Sequence, residues 1–102
     1  MAKKRKPVHP GEILREEFMV PLGLSMNRMA LDLRVQVTRI ADIANERRGI
    51  TVDTALRFAR YFNNAPVFWM NLQTRYDLEV AQDEIAGKVA RDVRPLETQH
   101  TR

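Results

Sequence analysis

Between residues 36 and 48 the segment QVTRIADIANERR gathers the side chains best suited to contact another molecule. Thr38 offers a hydroxyl that can hydrogen-bond a base edge or a phosphate, and a methyl that can pack on thymine. Asn45 can reach a phosphate or a base edge. Ala41 is small enough to let a helix sit deep in a groove. Arg39, Arg47 and Arg48 suit phosphate clamps on the flanks, and Gln36 and Val37 stand at the leading end. Asp42 has two readings: an acceptor for a cytosine amino group, or an ion-pair partner for Arg39 or another cation. Such side chains suit contact with double-stranded DNA better than they suit bond making.

The rest of the composition agrees. The chain of 102 residues has no cysteine, and His9 and His100 are its two histidines. Disulfides, thiolate metal sites and a cysteine nucleophile are excluded, and a histidine-based metal cluster or Ser-His-Asp triad has almost nothing to work with. The carboxylates are scattered over outward helix faces rather than converging on a pocket. No enzyme activity, cofactor, metal or small-molecule substrate is therefore expected. Lys and Arg total 17 against 13 Asp and Glu, a formal charge of +4, which suits a polyanionic partner without specifying one. No apolar run approaches the ~18–20 residues that span a bilayer. The opening MAKKRKPVHP lacks the apolar stretch of a secretory signal. A cytoplasmic protein with no membrane association is expected.

The elements that must position these side chains read as five helices and no strand, an all-α fold. Residues 1–8, with Lys3, Lys4, Arg5 and Lys6, read as a basic arm that either tracks phosphate or remains a solvated tail. Residues 9–86 read as the helical domain and 87–102 as a frayed tail. His9-Pro10-Gly11-Glu12 opens the first helix, with His9 as cap and Glu12 placed to reach back. Ile13, Leu14 and Phe18 form its apolar stripe, and Pro21 and Gly23 stop it. Ser25 caps the second helix, where Met26, Met29, Ala30 and Leu33 share a face.

The third helix begins around Gln36 or Val37. With Ile40 at 0° and ~100° per residue, Ile43, Ala44, Val37 and Gln36 fall within about 60° of it. Thr38, Asp42 and Asn45 fall opposite, with Ala41 and Arg39 on the shoulders. Thr51 caps a fourth helix with Ala55, Leu56, Ala59 and Phe62 inward. Pro66 starts a fifth that runs to Ile85 or Ala86, carrying Phe68, Trp69, Leu72 and Tyr76. Phe68 and Trp69 diverge by ~100°, so both cannot point inward, and the leftover apolar surface suits a dimer seam. From Asp77 to Glu84 the chain has four acidic residues and no basic one, either a solvated face or a surface for a basic partner.

Helices two and three are short and separated by about two residues. That forces a sharp crossing, the geometry of a helix-turn-helix. Ala30 allows the close approach, and Val35, Ile40 and Ile43 clamp the second helix against the first. The opposite face is then free to enter a major groove.

HPGEILREEF at 9–18, PLGLS at 21–25, RRGIT and DTALRFA within 47–59, and FWMNLQ with YDL within 68–78 resemble the HigA-type antitoxins of bacteria. These belong to the Xre-type, lambda-repressor-like helix-turn-helix class, and the likeness covers about residues 8–80. It implies a five-helix lambda-repressor-like domain with the helix-turn-helix at helices two and three. It implies a homodimer that binds and represses its own operator, and a HigB-type ribonuclease toxin as partner. A protein-interaction antitoxin, or a stand-alone regulator without a toxin, stays open beside it. The resemblance gives structural roles to Ser25, Ala30, Val35, Ile40 and Ile43, and makes Arg39, Asn45 and the acidic Asp42 shared traits. Two positions depart. Arg34 stands where the family's turn holds glycine, and a left-handed backbone there costs roughly 1 kcal/mol. Val37 stands where the recognition helix commonly offers a polar or basic side chain, which bears on the operator sequence read.

Overall fold

Five helices and no strand make up residues 6–97, the part of the chain described by the computed structural model. Lys3, Lys4 and Arg5 of the basic arm lie outside the described residues. Pro10–Ile13, Leu14–Met19 and Val20–Leu22 follow one another without a break as α1. His9 caps its start: the imidazole Nδ1 accepts the Gly11 N–H at 2.8 Å, and Pro10 occupies the first turn, where a missing N–H is no loss. Glu12 is exposed, and its backbone N–H donates to the His9 carbonyl at 2.9 Å.

Pro21 does not end this helix, contrary to the expectation from sequence. The stretch Leu14–Met19 is wound as a π-helix. That wider turn accommodates the Pro21 ring, which in a regular α-helix would press on the carbonyl four residues back. The stop comes at Gly23, with φ of 63°.

The remaining helices are α2 (Met26–Leu33), α3 (Val37–Ala44), α4 (Val52–Phe62) and α5 (Pro66–Asp92). Ser25 and Thr51 cap α2 and α4 through hydroxyls that accept the Arg28 and Thr54 N–H groups. Three helices end on the same device, a left-handed residue followed by one whose N–H reaches back to a free carbonyl. Gly23, Arg34 and Asn63 hold the left-handed position. The reaching bonds are Leu24 to Met19, Val35 to Ala30 and Asn64 to Ala59, at 2.9, 3.1 and 3.0 Å. Glycine and asparagine tolerate that conformation, whereas Arg34 carries a penalty of roughly 1 kcal/mol. The bonds of the turn and the packing of Val35 against the core hold it there.

Two further expectations are corrected. Leu56 is 54% exposed, and Phe58 is buried in its place. Counted from the Thr51 cap, Ala55, Phe58, Ala59 and Phe62 recur at helical spacing, and Leu56 lies ~100° round from Ala55. The fifth helix also continues past Gly87 to Asp92. A single helical glycine costs only about 1 kcal/mol, and the Lys88–Asp92 pair spans that last stretch.

Leu14, Met29, Ile40, Ile43, Phe58 and Trp69 are fully buried between the five helices. Trp69 lies 5.0 Å, ring centre to ring centre, from both Phe18 and Phe58, and its Nε1–H donates to Asn64 Oδ1 at 3.0 Å. Phe68 stays partly exposed beside it, as the angular divergence of adjacent residues requires.

Candidate nucleic-acid interface

The interface is built on α3, which is braced from both sides. At its C-terminal end, α1 comes so close that a Cβ on Gly11 would lie 1.8 Å from the Ile43 carbonyl oxygen. Only glycine permits that approach. One turn later Arg15 donates to the Ala44 carbonyl and pairs with Glu46 at 3.4 Å, satisfying an orphan acceptor at the end of α3. On the other side Arg39 reaches α4, donating to Asp53 at 2.6 Å and to Thr54 Oγ1 at 3.3 Å. Arg57 completes the frame, bridging Asp53 at 2.9 Å and the Leu33 carbonyl of α2 at 2.8 Å.

This frame sets which side chains point out. Ile40, Ile43 and Ala44 are wholly buried, while Thr38 and Asn45 are exposed on the far side, and Ala41 and Asp42 are half-buried. Gln36 and Val37 correct the wheel, which placed them inward. Gln36 is the residue before the helix, extended at φ −65° and ψ 140°, so helical angles do not apply to it, and it is exposed. Val37 opens the helix and is 38% exposed. The outward end of α3 thus runs Gln36, Val37, Thr38, with Ala41 behind.

The arginines nominated as phosphate clamps are engaged within the chain. Arg47 and Arg48 lie 3.1 and 3.8 Å from the two carboxylate oxygens of Asp42, and Arg39 is the brace to Asp53. In the free chain Asp42 thus pairs with Arg47 and Arg48 rather than with Arg39. Asp53, between Arg39 and Arg57, is held below the usual carboxylate range chiefly by the Arg39 hydrogen bond. Asp32 is lowered too, first by the Tyr61 hydroxyl, which donates to it at 2.6 Å, and then by Arg28. Behind the frame His9 is buried edge-on to Tyr76, and burial lowers its basicity against the opposing pull of Glu46 and Asp77.

Sequence reasoning missed Arg15, Asp53, Thr54 and Arg57 as supports. Asp53 and Arg57 carried a readable signal, opposite charges four apart on one helix. The Arg39–Asp53 and Arg15–Ala44 links join separate helices and have none.

No family model matches the chain. It is 52% identical over 77 residues to virulence-associated protein I of Dichelobacter nodosus, across 76% of this chain and 71% of that protein. It is 31% identical over 93 residues to antitoxin HigA-1 of Vibrio cholerae, across 91% and 87% of the two. The solved structure of Pseudomonas aeruginosa antitoxin HigA with the higBA promoter superposes with a TM-score of 0.86 at 41% identity. That match covers 89% of this chain and 99% of the other. Among the described residues no helix is long and apolar enough to cross a membrane.

Proposed function

The chain belongs to the HigA-type antitoxins of the helix-turn-helix class, and from that premise we propose that it is a DNA-binding antitoxin. It represses its own operon as a dimer and neutralises a HigB-type ribonuclease toxin in the cytoplasm, with no catalytic step or cofactor of its own. The observation that carries the reading is the orientation of α3. Complete burial of Ile40, Ile43 and Ala44 supports it by leaving Thr38, Ala41 and Asn45 on the opposite side, with Gln36 and Val37 exposed at the leading end, a surface suited to a major groove.

In this reading Thr38 and Gln36 hydrogen-bond base edges, Val37 packs against thymine methyls, and Ala41 lets the helix sit deep. Asn45, Arg47 and Arg48 take phosphates at the trailing end, Asp42 releasing its two arginines as they engage. Arg39 stays the brace at the flank. The dimer forms along the far end of α5, where Leu78, Ala81, Ile85 and Val89 make one apolar stripe. A second copy covers it and sets the two α3 helices on half-sites about one DNA turn, ~34 Å, apart.

Nuclease footprinting on the protein's own promoter tests this: a protected palindrome is expected, and a promoter left wholly open to cleavage would defeat it. Co-purification with the product of the adjoining reading frame tests the toxin. The pairing of Asp42 with Arg47 and Arg48 favours one second reading, an antitoxin acting mainly through protein contact. A strong toxin complex beside a failed gel shift would select it. DNA binding with no toxin retained would select a stand-alone regulator.

A further inference from the structure

We propose that Arg34, in the turn of the helix-turn-helix, is a phosphodiester-binding residue whose guanidinium holds the DNA backbone beside the leading end of α3. The proposal rests on the DNA-binding reading and extends it to a residue outside the α3 face. Its first support is that the other arginines around this surface are paired in the free protein, so that each must give up an ion pair before it takes a phosphate, whereas Arg34 need not. Arg39, Arg47, Arg48 and Arg57 each pair with Asp42 or Asp53, and Arg28 pairs with Asp32. Arg34 is exposed and makes no side-chain hydrogen bond or ion pair among the described residues.

The second support is where it stands. An open cleft of about 830 Å³ separates α2 from the start of α3, and Arg34 lines it with Asn27, Gln36 and Arg39. Leu31 and Val37 supply apolar wall, and no carboxylate lines the cleft. It is a positive, amide-bearing recess next to the residues that would read bases. Phosphate oxygens, acceptors with a full negative charge, fit it, and a planar guanidinium binds them in a two-pronged way.

The third support is the backbone. Of the three helix ends that use a left-handed stop, two carry Gly23 and Asn63, residue types suited to it, and the third carries Arg34. Glu46 is also left-handed, but its side chain pairs with Arg15, so an internal contact offsets the penalty. The Arg34 side chain has no such contact among the described residues: the bonds of the turn and Val35 hold its backbone, and a left-handed residue whose own side chain is unengaged is a candidate for work on something outside the chain.

The test compares wild type with Arg34→Gly and Arg34→Lys on a duplex of the promoter and on an unrelated duplex, over a series of salt concentrations. Arg34→Gly should melt higher, since glycine relieves the turn. It should bind both duplexes several-fold more weakly, with the log–log salt slope reduced by ~0.9, the value of one neutralised phosphate. Arg34→Lys should keep the slope. Wild-type affinity and slope in Arg34→Gly would overturn the proposal, as would weaker binding at an unchanged slope. Failure of the wild type itself to bind promoter DNA would sink the broader reading and this proposal with it.

Discussion

The two halves of α5 use their apolar residues in opposite ways. In the near half Trp69 is buried, and Leu72 and Tyr76 are half-buried. Gln73 accepts the Ile50 N–H through Oε1. Beyond Tyr76 none of the described residues is buried, and Leu78, Ile85 and Val89 stand exposed. At ~100° per residue the second set lies roughly on the opposite side of the helix from Trp69. One helix therefore presents two apolar faces at two heights, the first to its own core and the second, among the described residues, to solvent. An apolar residue packed inside the monomer stabilises folding. An apolar stripe left on a projecting helix costs solubility unless association covers it.

Substitutions in the two halves should separate these roles. Trp69→Ala in the near half should cost about 3–5 kcal/mol, as aromatic deletions in a packed core do, read as a fall in the denaturant midpoint. A loss under about 1 kcal/mol would mean that the aromatic cluster is not the core's centre. In the far half, Leu78→Asp with Ile85→Asp should leave the unfolding of the monomer within about 0.5 kcal/mol. Sedimentation should nevertheless show a dimer turned to monomer, and operator affinity should fall because two half-sites no longer act together. A dimer that survives this pair of charges would place the seam elsewhere.

Acid should act on the near half first. His9 is less basic in the fold than in the unfolded chain because it is buried, and its Nδ1 is already an acceptor. Folding therefore favours the neutral ring. Its contribution is complete above the ordinary imidazole value of about 6.5 and is lost as pH falls through that value toward the lowered one. The lowered carboxyls of Asp32 and Asp53 lose their contributions only in the more acidic carboxylate range. Melting temperature should thus fall in two steps. His9→Asn, which keeps a capping side chain, should erase the first and leave the second. A first step that persists in that variant would assign it to another group.

Much of this was legible in the sequence because it rests on local rules. Caps at His9, Ser25 and Thr51, the stripe of α2 and the clamp of Ile40 and Ile43 all follow from residue type and spacing. The fold class follows from them, and the angular divergence of Phe68 and Trp69 survives intact. What was not legible depended on partners far along the chain. The wheel misplaced Gln36 because it assumed a helix one residue too early, and Leu56 because the register of α4 was not tied to its cap. Arg39, Arg47 and Arg48 looked alike as exposed cations. Only the folded chain reveals that Asp53, fourteen positions away, claims the first, while Asp42 claims the other two.

The hold of Asp42 on Arg47 and Arg48 carries the smallest effect. If Asp42 only restrains Arg47 and Arg48, Asp42→Asn frees both arginines. An exposed pair such as Arg47–Asp42 is worth about 0.2–1 kcal/mol, and the longer 3.8 Å contact of Arg48 adds little, so stability should drop by no more than about 1 kcal/mol. DNA affinity should rise by roughly five-fold at most, with 1.4 kcal/mol to a factor of ten. The gain should be the same on every sequence tested, because phosphates carry no sequence. If Asp42 instead accepts from a cytosine amino group, the variant should lose affinity at one base pair and gain nothing elsewhere. Binding measured on a set of single-base operator variants separates the two outcomes. A loss confined to one position would make Asp42 a reader of bases rather than a restraint on its neighbours.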